Sequence, residues 1–592
     1  MKTIFKNSAW LLSLVLFATV TIGCRSNDDP TDPFVANAAT SRIDGDFKVG
    51  EAMTAANVFV VNFTGGGTAT IVRAVAAVNG ISIETQNNVT LSGGTLRIPL
   101  TGTPVDPGEH ELRVEIVVAN VPHIVPATFN VTEDGDGNDG PFDGGTGSAA
   151  NPWLISTAEQ LDLIRDYPTR HFKLTSSVDL ADLDDEWVPI GVFSGSIDGD
   201  GNSVYGLVHT SIDNDEGGGF VNTLYGTGII RNIAFRDIDM TTTARFGAIV
   251  GIHYGEIDNM VVTGRLISNT EAGIGTGWLG GISGEMRAGA LNNAFVNLEI
   301  RSYAGMTGGV VGRAINQAYE IANVTAQGSI TLLRGGGMFR VGGILARAES
   351  SATQLTVRNN YVTMDIGAID GESVEGVGGI FGACGNPANM TIVQNKFAGT
   401  IFNARQAGGI SGAGPRVSNN LVVGRGRDLN HPTISVASAA AGGGTAGAIA
   451  GQGKFNLNNN IARNVTITGA SFPTRPISGI ASDLAQNVET YNNVIINTLL
   501  NGAYVSGMTG VAAPGTGRTE NNFRSNMSFY AAGVPSDFVP VDDADGRDGA
   551  NVATVDLAFL TGLGFDFNTV WEMRSGVPYL RNVGYYGDIP TN

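Results

Sequence analysis

The sequence predicts an all-β protein: an N-terminal β-sandwich followed by a right-handed parallel β-helix, a solenoid with capped ends. Three observations point there. First, 83 of the 592 residues are Gly, 15% are charged and 42% are hydrophobic. Glycine at this density without a Gly-x-y period excludes collagen, and apolar content this high with so few charges excludes wholesale disorder. Second, residues 34–132 carry short apolar runs separated by turn residues. Third, a two-phrase unit recurs through most of the remaining chain.

In order along the chain, Lys2 and Lys6 precede the uncharged run 9–20, which ends in Thr21-Ile22-Gly23-Cys24. The run is short for a bilayer span and has the form of a secretory signal. Small residues before a lone Cys resemble a bacterial lipobox. That resemblance implies a signal peptide at 1–23, cleavage before Cys24, lipidation of its thiol and a tether at 24–33. Arg25-Ser26-Asn27-Asp28-Asp29 resembles the acidic tag that directs Bacteroidota-type lipoproteins to the outer face of the outer membrane. Membrane attachment would then rest on acyl chains alone. Loss of residues 1–23 removes two lysines and takes the formal charge from −20 to −22. Such a charge argues against a nucleic-acid partner, which needs a basic face. Two cysteines cannot build a disulfide framework. Cys384 stands where the repeats place small buried residues and reads as core.

Residues 34–132 contain strand-like runs at 57–63 and 71–78. In Glu111-Leu-Arg-Val-Glu-Ile116 apolar and charged residues alternate, as a half-buried strand requires. The phrase Leu100-Thr-Gly-Thr-Pro-Val-Asp-Pro-Gly108 resembles the turn of bacterial immunoglobulin-like modules, which implies an immunoglobulin-like β-sandwich acting as a stem. Residues 133–150 are rich in Asp and Gly and read as a linker. Asp134, Asp136 and Asn138 resemble the start of a calcium loop. Asp139 stands where the sharp-turn Gly is needed, however, and Gly145 where the closing Glu is needed. A charged linker is therefore favoured over a structural calcium, and no other cofactor is implied.

Beyond the linker, the first repeating phrase is a small pair, an apolar anchor, any residue, then Gly. It appears in Leu279-Gly-Gly-Ile282-Ser-Gly284, Thr307-Gly-Gly-Val310-Val-Gly312 and Val377-Gly-Gly-Ile380-Phe-Gly382. The anchors run from Phe220 to Met508 in nine steps, a mean period of 32 residues. The second phrase is Asn followed by alternating apolar residues, at Asn232, Asn259, Asn293, Asn323, Asn360, Asn395, Asn420, Asn460, Asn493 and Asn522. Each period supplies two or three short strands that bury their apolar residues only when coils stack. Gly at the corners permits positive φ, and Asn tolerates it while its side chain bonds from coil to coil. Ten coils at the usual strand spacing give a rod of about 50 Å.

The pattern Gly-Gly-Ile-x-Gly…Asn-x-x-Val-x-Gly over 217–530 is similar to the GLUG repeat of bacterial surface proteins. The opening at 151–216, with Asn151-Pro-Trp-Leu-Ile and Val188-Pro-Ile-Gly191, resembles the N-terminal part of such β-helix lipoproteins. Ser156 with Glu159 forms a capping box for a helix to about Asp166 that would cover the first coil. The segment 531–592, with the apolar run 559–567, Trp571 and Val577-Pro-Tyr-Leu580, resembles their closing segment and is expected to plug the last coil.

Some GLUG-repeat proteins are IgA-cleaving metallopeptidases, an activity that requires zinc ligands. His110-Glu111 begins like His-Glu-x-x-His, but the second His is missing and the pattern is that of a strand. Polysaccharide lyases and glycoside hydrolases of β-helix form need converging carboxylates. Glu256, Asp258, Glu285, Glu299, Asp365 and Asp370 are sparse, Asp184-Asp185-Glu186 reads as a solvated turn, and Asp198-Gly-Asp200 reads as a tight turn. No catalytic set is assigned. Binding is the leading reading, with a polysaccharide or host glycoprotein as partner. Tyr225 and Tyr254, each five residues after an anchor, should stack on one corner, and Trp278 falls in the next turn; exposed rings of this kind hold sugars. Arg425, Arg427 and His431, in the widest period, are candidates for an acidic glycan. The resemblance also implies an outer-membrane nutrient transporter as a partner. A lyase or hydrolase and a plain surface spacer are the rival readings.

Overall fold

The computed structural model describes residues 34–92, 94–132, 141–210, 218–242, 245–268, 277–349, 354–384, 390–436, 444–453, 456–469, 476–485, 488–512 and 519–584. Cys24, with the signal and tether, and the linker residues Asp134, Asp136 and Asn138 lie outside these. The chain divides into two compact units, Met1–Asp136 and Gly137–Asn592.

The first unit is a β-sandwich. Val35–Asp44, Val58–Thr64 and Thr95–Pro99 form one antiparallel sheet. The second sheet has five strands, with Gly108–Val118 paired antiparallel to both Gly67–Ala74 and Val121–Thr132. In Gly108–Val118 the alternation read from the sequence becomes alternating burial: Leu112, Val114 and Ile116 are fully buried between polar neighbours that face outward. Phe59, Val61 and Ile98 meet them from the other sheet.

The second unit is a parallel β-helix. Its strands from Trp153 to Asn551 form one continuous sheet in which each pairs with its equivalent a coil later. The anchors Ile282, Val310 and Ile344 are all fully buried in one apolar interior that runs from Phe142 to Met508. The Ile282 amide donates to the Val310 carbonyl (2.9 Å) and the Val310 amide to that of Ile344 (3.3 Å), coil over coil.

The early coils have the two or three strands expected, as in Trp278–Gly280 with Ser283–Ser302, and the later coils are more finely divided. The coil after Val374 has five: Val374–Gly378, Phe381–Cys384, Thr391–Val393, Lys396–Phe397 and Thr400–Ala404. The glycines of the first phrase act in two ways: Gly218 and Gly219 adopt the expected positive φ, at +94° and +82°, and others are needed for close approach. Gly281 is not in the left-handed region; it is required because a Cβ there would sit 2.1 Å from the Gly309 carbonyl oxygen of the next coil. Among non-glycine residues positive φ belongs mainly to the asparagines, for example Asn232, Asn259, Asn293, Asn323 and Asn359 at +51° to +56°.

The asparagines form two adjacent columns where one was expected. The outer column occupies left-handed corners, where Asn259 Nδ2 donates to Asn232 Oδ1 (2.9 Å) and Asn323 to Asn293 (3.1 Å). At Asn359-Asn360 a second, inner column begins, because Asn360 aligns with Val324. Asn360, Asn395, Asn420, Asn460, Asn493 and Asn522 are fully buried. From Asn360 through Asn493, each donates both its backbone N–H and its Nδ2 to the Oδ1 of the next, at 2.9–3.2 Å. The column satisfies buried amides that a solenoid corner would otherwise strand.

Both end elements depart from the sequence reading. The opening helix is Ala158–Asp162, extended by a 3-10 turn at Leu163–Asp166, and its N-cap is Thr157 rather than Ser156. Thr157 accepts from the Gln160 amide, and the Gln160 side chain accepts from the Ser156 amide, so Gln160 takes the role given to Glu159. Leu161 and Ile164 are fully buried in the β-helix interior. The linker is also shorter than residue 150. Phe142 is buried and stacks on Trp153 at 4.8 Å, so residues from 141 onward belong to the cap.

The closing segment splits in two. Phe538 packs on the end of the interior, and Asp548 accepts from Ser506 Oγ (3.1 Å) and the Gly507 amide (2.9 Å) of the last coil. The apolar part expected to plug that end instead lies along the side of the coils. Leu560, Phe565, Trp571 and Leu580 bury the outward-facing Leu421, Ile461 and Val494. The Gly584 amide reaches the Asn359 carbonyl (2.7 Å), so this strap runs back across several coils.

Candidate functional site

The site grows from unequal corner lengths. Leu224 pairs with His253 and Ile229 with Glu256, so four residues, 225–228, turn one corner where two, Tyr254 and Gly255, turn the next. His253 pairs with Met286 and Glu256 with Ala290, so the following corner holds three, 287–289. The middle corner is therefore recessed between two longer ones. The result is a cleft of about 740 Å³ walled by Tyr225–Ile229 and Ala288–Ala290, with Tyr254, Gly255 and Glu256 at its base.

Tyr225 and Tyr254 meet as the sequence reading expected. Their ring centroids lie 5.3 Å apart at 62°, an edge-to-face pair, and Tyr225 is 55% exposed. Small residues on the opposite wall leave the rings accessible, and Glu256 is exposed at the edge.

Below the rings the cleft is held stiffly. Arg287 Nη1 donates to the Tyr254 hydroxyl (3.1 Å), its guanidinium lies 5.9 Å from that ring, and its Nε pairs with Glu285. Glu285 is 1% exposed and also pairs with Arg313 at 3.2 Å. Burial opposes the Arg287 charge, but its bonds to Tyr254 and Glu285 outweigh that and raise its pKa. His253 is fully buried, with Nδ1 3.1 Å from Ser283 Oγ and Nε2 3.0 Å from the carbonyl of Gly255. Desolvation pushes its pKa down to about 4. The neutral ring therefore donates Nε2–H to Gly255 and accepts at Nδ1, pinning the cleft base. His253 and Arg287 were missed from the sequence. The signal available was register: His253 aligns with Leu224, Met286 and Ala314, an inward-facing column.

Trp278 does not join the pair. It is 5% exposed, between Arg245 and Arg313 with guanidinium carbons 4.7 and 5.2 Å from its ring, and packs with Met306 and Ala346. The cause is register: Trp278 aligns with Arg245 and Met306, in a column separate from the tyrosines. Arg425, Arg427 and His431 lie about five coils away, roughly 24 Å along the rod. Arg425 is 3.8 Å from Asp365, Arg427 Nη1 donates to Ser528 Oγ (2.7 Å), and His431 lies 2.8 Å from Asp428. The first two contacts tie the long loop to other coils, and the third lies within the loop. Cys384 is buried in the interior. Among the described residues no group of three or more His, Cys, Asp or Glu is placed to hold a metal ion, and no helix is long and apolar enough to cross a membrane.

A parallel β-helix with a recessed aromatic corner is thus the class that fold and site define. No protein-family profile matches the chain. A protein of Evansella cellulosilytica described as a Gly-rich membrane protein is 34% identical over 141 residues, covering 22% of this chain and 16% of its own. Halomucin of Haloquadratum walsbyi is 33% identical over 97 residues, covering 16% of this chain and 1% of its own. The chain thus spans only a small part of either relative. Among solved structures, an IgA1 protease aligns with a TM-score of 0.37 and 13% identity over 60% of this chain and 28% of its own.

Proposed function

We propose that this is a lipid-anchored protein of the bacterial cell surface whose β-helix binds extracellular glycan or host glycoprotein at the Tyr225–Tyr254 corner, without cleaving it. The sandwich serves as a stem, and the GLUG-like repeats build the head. One observation carries the reading: a cleft of about 740 Å³ whose exposed feature is a fixed aromatic pair. Sugar rings stack on such faces through their C–H surfaces, while the neighbouring Glu256 and backbone groups offer hydrogen-bond partners. Glu256 is the one carboxylate lining the cleft, and a single carboxylate does not provide the acid–base pair of a glycosidase. The membrane association named for the Evansella relative supports an envelope location.

A glycan array probed with the soluble chain starting after Cys24 tests this. Retention of a polysaccharide, weakened at least tenfold (about 1.4 kcal/mol) by Tyr225→Ala or Tyr254→Ala with unchanged melting temperature, is expected. Release of new reducing ends or unsaturated sugars would replace the reading with an enzyme. Absence of retention on any glycan would leave a spacer.

A further inference from the structure

A second site lies where the closing strap crosses the coils. The Ser575-Gly576 turn of its hairpin, Trp571–Arg574 with Val577–Leu580, covers a cavity of about 190 Å³ over Arg463, Asn464 and Ser525. Arg463 is 8% exposed, and its buried Nε has no hydrogen-bond partner. Its guanidinium stacks on the Tyr579 ring at 4.6 Å, with Arg574 5.2 Å from the same ring. Lys396 sits over Tyr361 at 4.1 Å, and its pKa is lowered by burial and by the charges of Arg463 and Arg574. The carboxylate of the hairpin, Glu572, is taken by Arg574 and, at 3.8 Å, by Arg581. Among the described residues no carboxylate pairs with Arg463 or Lys396. A buried guanidinium without a counter-charge is costly, and in a chain of net charge −20 the shortage of acid here is local.

We propose that this seam binds a small oxyanion, a carboxylate or sulfate group, on the guanidinium of Arg463 with Ser525 and Asn464 beside it. A guanidinium presents paired N–H donors, the geometry that grips an oxyanion in bidentate fashion. The site is independent of the tyrosine corner.

The test uses inorganic sulfate, a galacturonate oligosaccharide and a sulfated oligosaccharide, titrated calorimetrically into the soluble chain at constant ionic strength. Saturable binding that falls at least tenfold in Arg463→Gln, and also in Arg463→Lys, which keeps the charge but loses the fork, is expected. Binding of sulfate alone assigns a free ion, and binding of either oligosaccharide assigns an acidic sugar. If the variants fail to fold, a selenate-soaked crystal of the unmodified protein provides the reading. An anomalous peak against the Arg463 guanidinium upholds the site. No peak, or binding unchanged by both substitutions, overturns it.

Discussion

Replacing Asn420 with Leu isolates what the inner asparagine column contributes. The Asn420 side chain donates to the carbonyls of Ile392 (3.0 Å) and Ser418 (2.8 Å) and to Asn460 Oδ1 (3.1 Å). It accepts from the backbone N–H (2.9 Å) and Nδ2 (3.1 Å) of Asn395. Leucine fills a similar volume but leaves the fully buried Asn395 N–H without an acceptor; Asn395 Nδ2 keeps the Val357 and Val393 carbonyls. One stranded donor costs about 1–3 kcal/mol and the remaining lost bonds about 1 kcal/mol each. Burial of the added methyl groups returns about 1–2 kcal/mol. The net expected loss is about 3–6 kcal/mol. Asn526→Ala, at the exposed end of a separate short stack in which Asn497 Nδ2 donates to Asn464 (2.7 Å) and Asn526 Nδ2 to Asn497 (3.0 Å), should cost less than about 1 kcal/mol. Because coils contact mainly their neighbours, the opening should be local. Hydrogen exchange on peptides covering 390–423 reads it directly, and the urea midpoint gives the global effect. Equal losses for the two variants, or an Asn420→Leu loss below about 1 kcal/mol, would show that the column is a by-product of stacking.

The remaining predictions concern other layers of the structure. His253 has a folded pKa of about 4 against an ordinary 6.5, so the unfolded chain binds more protons between those values. Its contribution is full above pH 6.5 and is lost as pH falls toward 4, by at most about 3 kcal/mol; the difference in urea midpoint between pH 7.5 and 5 should shrink in His253→Leu. Gly281→Ala would drive a Cβ to 2.1 Å from the Gly309 carbonyl and 2.8 Å from Leu298, and should cost about 2–4 kcal/mol by thermal unfolding. Trp571→Ala empties a fully buried site at a cost of about 3–5 kcal/mol. Limited proteolysis should then cut the strap first while exchange in the inner asparagine column stays slow.

The parts of this fold legible in the sequence were those that repeat. The anchors align because a stacked coil permits only a small cluster at a sharp turn, and the tyrosines followed by counting from them. Features set by contacts between distant segments were not legible. The two asparagine columns differ by one position, Asn359 against Asn360, and nothing in a list of asparagines separates a corner from its inward neighbour. Composition showed that the closing segment must bury its aromatic rings. It did not show that Leu421, Ile461 and Val494 face outward on one flank and offer that segment a longer apolar surface than the end coil. Arg463 is an ordinary strand residue until the strap covers it. Trp278 was misplaced for a related reason: its position in the turn was correct, but the arginines on either side come from the coils before and after.

A regular solenoid presents flat faces, so a concave site requires that some coil depart from its neighbours. Here the departure is in corner length, and its physical cause is the short sequence between two strand positions. Tyr225-Gly-Thr-Gly228 can protrude because Gly226 adopts φ +50° and the Thr227 hydroxyl ties the loop to the Ser194 carbonyl at 3.0 Å. Tyr254-Gly255 cannot protrude, because the His253 ring holds the Gly255 carbonyl from below. Arg287 then ends the aromatic column: it aligns with the tyrosines but turns its guanidinium beneath Tyr254 and so does not extend the stack. A third tyrosine there would have filled the recess, and the cleft exists because the column stops at two.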